Sequence, residues 1–153
     1  MAKLNMEQVL VVGEVQQLIN DWAYELDVNN GLEISSLVTE DCIYSVRGAP
    51  LKGRAAVGRF YKERLESLSA EPTGTPTQRH TLSNLRVCFQ GASEVSITFT
   101  LLFFTTAGVA PGLNHANPAA VADVRMDCRR CDDGEWRIAK FDSNQTFRRV
   151  ATA

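Results

Sequence analysis

Two residues have the types needed for acid–base chemistry and lie where a fold could join them. Asp27 stands near the end of the first helical segment, and His80 opens a strand-like stretch after the polar residues Gln78 and Arg79. Histidine can accept and return a proton near neutral pH, while a carboxylate can fix its tautomer and stabilise its cation. The pair predicts a general base, His80, oriented by Asp27, provided that the fold brings the two side chains into contact.

Four further polar side chains are candidates for contacts with a bound molecule. Tyr44 and Asn84 could donate hydrogen bonds to a substrate oxygen. Arg125 and Asp127 belong to a segment in which charged and apolar residues alternate, which indicates a strand with one polar face. That face favours contact with solvent or another subunit through cross-strand charge pairs. The alternative is that Arg125 or Asp127 enters the pocket, to bind an anionic group or to serve as an acid.

Five large apolar residues are predicted to form either the rest of the pocket wall or part of the core, two roles that sequence alone does not separate. They are Trp22, Phe60, Phe99, Leu101 and Phe103.

Metal and cofactor motifs are not found. The second histidine, His115, falls in a loop, where it is expected to be exposed or to take part in a lid. Two widely separated histidines without carboxylates at ligand spacing predict no metal site. Without a glycine-rich phosphate loop or a nucleophile elbow, no cofactor is predicted.

The cysteines are interpreted as structural. Cys128 and Cys131 have the two-residue gap of a redox or zinc motif. They fall at the end of a predicted strand, where side chains three apart point to opposite faces, and not at a helix N-terminus that would activate a thiol. No second pair completes a zinc site.

The first half of the chain predicts the helices that must position these residues. Helices are expected over 9–29, 32–37 and 55–68, with a short strand over 42–47. The first helix carries an apolar stripe at three- and four-residue spacing, and Asn29-Asn30-Gly31 ends it.

The second half changes to the period of strands. Stretches rich in Val, Ile, Phe and Thr occupy 81–90, 94–106, 120–131 and 136–148, with glycine-containing turns between the first two and the last two. The order predicts an α+β fold, in which a curved antiparallel sheet wraps around the N-terminal helices. Such a sheet encloses a cone-shaped space suited to a small molecule.

Composition fits one domain over residues 1–153, with a core at about 9–148. The net charge of −2 and the lack of a basic block argue against a nucleic-acid partner. No long apolar run follows a basic N-terminal segment, so neither a signal peptide nor a membrane span is predicted, and a cytoplasmic location is expected.

Several segments, in this order, resemble the SnoaL-like branch of the nuclear transport factor 2-like superfamily. They are Leu26–Asn30, Leu37–Asp41, Leu51–Tyr61, Arg79–Asn84 and Asp133–Ile138. The resemblance implies a cystatin-like α+β barrel. Scytalone dehydratase and hexachlorocyclohexane dehydrochlorinase of this fold use an Asp–His dyad, and Asp27 and His80 match its two positions. The resemblance thus implies removal of a carbon-bound proton, followed by loss of water or another leaving group.

The chain also departs from these templates. The dehydratase has a second pocket histidine on a later strand, whereas Leu101–Thr105 contains none. The pocket tyrosine of the dehydratase corresponds to a position near Val46 in this chain, two residues from Tyr44. The basic aspartate of ketosteroid isomerase corresponds to about the same position.

The sequence and the resemblance support two hypotheses, one for an enzyme and one for a non-catalytic protein. The first is a cofactor-free lyase or isomerase acting on a small, mostly apolar, cyclic or aromatic compound. The second is a non-catalytic ligand-binding or assembly module, such as the small subunit of a ring-hydroxylating dioxygenase. Relatives of this fold assemble through the outer sheet face, so a homodimer or homotrimer is expected.

Overall fold

Two helices and a six-stranded sheet make up the computed structural model, which describes residues 3–46, 49–108, 111 and 117–149. The helices are α1 (Met6–Val28) and α2 (Arg54–Ser69), with one 3₁₀ turn at Ile34–Leu37. The strands are β1 (Val38–Ser45), β2 (Leu51–Lys52), β3 (Thr77–Phe89), β4 (Glu94–Thr106), β5 (Ala120–Arg130) and β6 (Trp136–Arg148). The α+β prediction is confirmed.

Helix α1 starts and stops where its sequence provides caps. The Asn5 side chain accepts from the backbone N–H of Gln8, and the Gln8 side chain accepts from that of Asn5. The apolar stripe of the helix packs into the core, with Val15 and Ile19 fully buried. At the other end, buried Glu25 accepts a hydrogen bond from the backbone N–H of Glu33 and fixes the chain that follows the helix.

The sheet order is β2-β1-β6-β5-β4-β3. The predicted antiparallel sheet is confirmed for the second half of the chain, because β3 to β6 pair antiparallel in sequence order. Strand β1 joins the free side of β6 in parallel, and the two-residue strand β2, which was not predicted, pairs with β1. The curved sheet places α1 and α2 against its inner face.

A bulge in β3 changes which residues face the interior. Between Ser83 and Arg86 the pairing with β4 shifts by one residue, and Asn84 takes a positive φ of 57°. Before the bulge the inward residues have even numbers (Gln78, His80 and Leu82), and after it they have odd numbers (Leu85, Val87 and Phe89). The strand thus presents polar groups at one end and core residues at the other.

Candidate active site

Asp27 and His80 are in contact. The Asp27 Oδ1 atom lies 2.6 Å from His80 Nδ1, and Asp27 Oδ2 accepts a 2.8 Å hydrogen bond from the backbone N–H of His80. Only 9% of the Asp27 side chain and 12% of the His80 side chain are exposed. One carboxylate therefore holds both the imidazole ring and the strand that carries it.

The end of α1 and the start of β3 are joined by a second contact. Gln78 is buried, and its side-chain amide donates to the backbone carbonyl of Leu26. That carbonyl belongs to the last turn of α1, where carbonyl groups lack partners within the helix. A carboxylate is electrostatically unfavourable at this end of a helix, so the hydrogen bonds from His80 offset that cost for Asp27. Residues 26 and 27 are thus paired with 78 and 80.

The geometry defines the tautomer of His80. A carboxylate can only accept, so Nδ1 carries a proton, and in the neutral ring the lone pair is then on Nε2. The ring is fixed between Trp22, in an edge contact with centroids 5.8 Å apart, and Phe103, at 4.8 Å. Because Asp27 engages Nδ1, Nε2 is the nitrogen free to act as a base on a molecule in the adjoining cavity.

His80 lines a cavity of about 410 Å³, within the size range of small-molecule sites. Its wall is mostly apolar, formed by Leu26, Val46, Phe60, Leu101, Phe103, Ala120 and Ala122. The polar residues that reach it are Tyr61, Arg64, Gln78, His80, Ser143 and Gln145. The residues that β5 contributes to this wall, Ala120 and Ala122, are small and fill little of the space.

A chain of hydrogen bonds runs behind the cavity from Trp22 to Tyr61. Trp22 Nε1 donates to the hydroxyl of Tyr44 over 2.8 Å, and the hydroxyls of Tyr44 and Tyr61 lie 3.1 Å apart. Tyr44 is fully buried and stacks on Phe141. Burial raises the pKa of Tyr61 to about 12 and that of Tyr44 well above its usual range. Both tyrosines therefore keep their protons at neutral pH and can donate them in hydrogen bonds.

Arg64 is a cavity residue that sequence reasoning missed. Its Nη2 donates to the side-chain carbonyl of Gln78 over 3.0 Å. The signal was present, because Val57, Tyr61 and Arg64 follow helical spacing on the inward stripe of α2. A charged residue on such a stripe indicates either a stem packed along the wall or a functional head group.

The other candidates from sequence divide into three groups. Phe103 lines the cavity beside His80, as an apolar wall residue should. Trp22 and Tyr44 lie behind the wall and act on it through Tyr61. Asn84, with its exposed side chain, belongs to a separate depression.

Arg125 and Asp127 lie outside the His80 cavity, and Arg125 lines the same separate depression as Asn84. On β5 the inward residues are the even-numbered ones, such as Ala120 and Ala122, which leaves 125 and 127 on the outer face. There Arg125 and Asp127 form an ion pair at 3.0 Å, and Asp127 also accepts from Ser96 on β4. The ion pair joins two residues of β5, and the hydrogen bond from Ser96 joins β5 to β4.

The cysteines show no sign of a redox or zinc centre. Cys128 is buried and Cys131 is partly exposed; both are free thiols. Burial raises the pKa of Cys128 to about 12, which disfavours the reactive thiolate.

The structure bears on the predictions made for a metal site, a membrane span and the loop that contains His115. Among the described residues, no three His, Cys, Asp or Glu side chains cluster as a metal site would require. Within the same part of the chain, no helix has both the length and the apolar character needed to cross a membrane. The lid prediction for His115 falls outside the described residues.

A family model for the SnoaL-like domain matches residues 7–142. The chain belongs to the SnoaL-like family. This confirms the resemblance found in the sequence. No protein of curated function shows significant similarity to the chain.

Solved structures share the SnoaL-like architecture. One, from Catenulispora acidiphila in complex with S-DNPA, is 24% identical, with a TM-score of 0.73 over 90% of this chain and 95% of that one. A candidate scytalone dehydratase from Novosphingobium aromaticivorans is 20% identical, with a TM-score of 0.72 over 96% and 91%. A hexachlorocyclohexane dehydrochlorinase from Novosphingobium barchaimii is 16% identical, with a TM-score of 0.71 over 94% and 92%. At these identities the likeness extends to the fold.

Proposed function

We propose that this SnoaL-like protein is a cofactor-free lyase or isomerase acting on a small, mostly apolar, cyclic or aromatic compound. The observation that carries the proposal is the two-point contact of Asp27 with His80, which leaves Nε2 as the ring nitrogen that Asp27 does not engage, on a residue that lines a cavity. The dehydratase and dehydrochlorinase named among the structural neighbours fit this class of reaction.

The reaction begins with transfer of a carbon-bound proton from the substrate to His80 Nε2. In a lyase, the electron pair of that C–H bond forms a new double bond as a leaving group departs from the adjacent carbon with its own bonding pair. A halide leaves as the anion, whereas a hydroxyl takes the proton back from His80 and leaves as water. In an isomerase, His80 returns the proton to another carbon. Throughout, Asp27 stabilises the imidazolium, as in other carboxylate–histidine pairs.

The experiment follows exchange of carbon-bound protons in D₂O, which reports proton abstraction without knowledge of the natural substrate. 2-Tetralone, an apolar bicyclic ketone, is the first probe, and NMR measures its loss of C–H signal. The His80→Gln variant keeps a polar side chain but lacks a base, and it should lower the enzyme-dependent rate by about 10²–10⁴-fold. Thr81→Ala, an exposed neighbour on β3, is the matched control. Equal rates in wild type and His80→Gln, or no exchange by the wild type, would contradict the proposal.

The assembly-subunit alternative differs in a property that can be measured separately. A small subunit of a ring-hydroxylating oxygenase needs a large iron-containing partner, whereas the proposed enzyme needs none. A clamped base beside a cavity favours the enzyme, because assembly alone has no use for it. Co-purification of the chain from its native cells with an iron–sulfur protein would reverse that preference.

A further inference from the structure

The cavity lining combines two chemically different sets of groups. His80, on β3, is the candidate proton acceptor, and Arg64 and Tyr61, on α2, are hydrogen-bond donors. The direction of the tyrosine protons and the lack of a carboxylate paired with Arg64 together indicate what the α2 residues bind.

The proton of Tyr61 is directed away from Tyr44. The Tyr44 oxygen accepts from Trp22, and in the part of the chain that the structure describes its only other partner is the Tyr61 hydroxyl. Tyr44 is fully buried, so its own proton must go to the Tyr61 oxygen to avoid an unpaired donor. The Tyr61 proton is then free to be donated to a molecule in the cavity that Tyr61 lines.

Arg64 has a positive charge that no described carboxylate neutralises. Of the ion pairs formed by the described residues, none includes Arg64, whose hydrogen bond goes to the neutral side chain of Gln78. Gln78 is itself fixed by its bond to the Leu26 carbonyl, so it holds the guanidinium in place without cancelling its charge. The charge reaches Tyr61, because Arg64 lowers the pKa of Tyr61 against the larger, opposing effect of burial.

We propose that the substrate has a carboxylate, which binds to Arg64 and Tyr61 while the reacting carbon lies against His80. Resting on the proposed function, this names the class of compound that the site takes: a small apolar acid. A guanidinium matches the planar carboxylate, and one cation neutralises one charge, which favours a carboxylate over a doubly charged phosphate.

The test compares two probes of similar size, benzoate and benzyl alcohol, by calorimetric or NMR titration at pH 7. Wild-type protein should bind benzoate at least about tenfold more tightly, the effect expected of a charge-assisted hydrogen bond. Arg64→Met should abolish this difference, and Arg64→Lys should keep part of it. Arg59→Met removes an exposed charge from α2 outside the cavity and is the matched control, with the preference unchanged.

Three results would overturn the inference: equal affinity for the two probes, no binding of benzoate at millimolar concentration, or a preference that survives Arg64→Met. Failure here is distinct from failure of the proposed function. If proton exchange depends on His80 but the protein does not prefer benzoate, only the inference of a substrate carboxylate is contradicted. A preference that depends on Arg64 without such exchange removes the catalytic proposal and leaves a binding site for small acids.

Discussion

The inner and outer faces of the sheet each have an acid paired with a base, and only the inner pair includes a histidine. Inside, Asp27 pairs with His80, and 9% and 12% of their side chains are exposed. Outside, Asp127 pairs with Arg125, with 33% and 57% exposed. The outer cation is permanent and accepts nothing, whereas the inner histidine keeps one nitrogen that can take a proton. A charge pair therefore indicates a reactive site when one partner retains an unused acceptor beside an open space.

The largest expected difference between the two faces comes from replacing each aspartate by asparagine. In Asp27→Asn, the amide nitrogen donates to His80 Nδ1 and forces the proton onto Nε2, so the base is lost. Activity should fall by about 10²–10⁴-fold. The amide oxygen can still accept from the backbone of residue 80, so the melting temperature should change by only a few degrees. Proton exchange and thermal unfolding measure the two effects, and full turnover in this variant would disprove the dyad mechanism.

Two glycines allow a packed site to be compared with an open one: Gly31, which contacts Tyr61, and Gly134, in the turn between β5 and β6. Gly31 has a φ of +82° and Gly134 a φ of +85°, so alanine meets similar backbone strain at both. At Gly31 the added Cβ would also lie 2.5 Å from a ring carbon of Tyr61, whereas nothing lies within 4 Å at Gly134. Gly31→Ala should therefore lower the free energy of unfolding by about 1–3 kcal/mol more than Gly134→Ala does. Urea unfolding gives both values, and equal losses would show that Tyr61 can move aside.

Alkaline unfolding tests the buried tyrosine chain. Burial raises the pKa of Tyr61 from its ordinary value of 10.0 to about 12. The folded protein then holds this proton at pH values where the unfolded chain has lost it. The stability associated with the neutral hydroxyl is fully present below pH 10 and is lost as the pH rises towards 12.

This loss amounts to about 2–3 kcal/mol at one pKa unit per 1.36 kcal/mol. Tyr61→Phe should make the dependence of stability on pH shallower over that window, and the part that remains comes from Tyr44, Cys42 and Cys128, whose pKa values burial also raises. Tyr24, 62% exposed on α1, provides the control, because Tyr24→Phe should follow the wild-type curve. Coincident curves for wild type and Tyr61→Phe would contradict the assigned burial effect.

The smallest effect is expected on the outer face. Asp127→Asn weakens a partly exposed ion pair but keeps an oxygen to accept from Ser96. The free energy of unfolding should change by about 0–1 kcal/mol and activity by less than twofold. A large loss of activity here, measured beside Asp27→Asn, would mean that the outer face contributes to the site.

Periodicity predicted the elements whose function is packing. The stripe on α1 and the alternation on β4 to β6 were readable because apolar residues repeat at the spacing of the element that buries them. The start of β3 could not be predicted from periodicity, because Thr77 to His80 are polar residues that form a strand with polar groups turned inward. Strand β2 has two residues, too few for any period to be visible.

For the candidate site, the pairing of Asp27 with His80 was predictable from residue type and family resemblance, and the structure brings the two together. Their catalytic role stays a prediction. Arg64 was missed because a charge within a helical stripe is commonly a packed stem with a solvated end. The outward position of Asn84 depends on a bulge, and a sequence pattern does not fix where the extra residue falls.

The bulge at Asn84 determines which side chains of β3 face the core on each side of it. One residue inserted or removed there would exchange the inner and outer faces of only one half of the strand, since side-chain direction alternates along it. If Leu85, Val87 and Phe89 kept their places in the core, a deletion would turn Gln78 and His80 towards solvent. Single-residue length changes at this point therefore offer a route by which a pocket could be lost or regained on an unchanged scaffold.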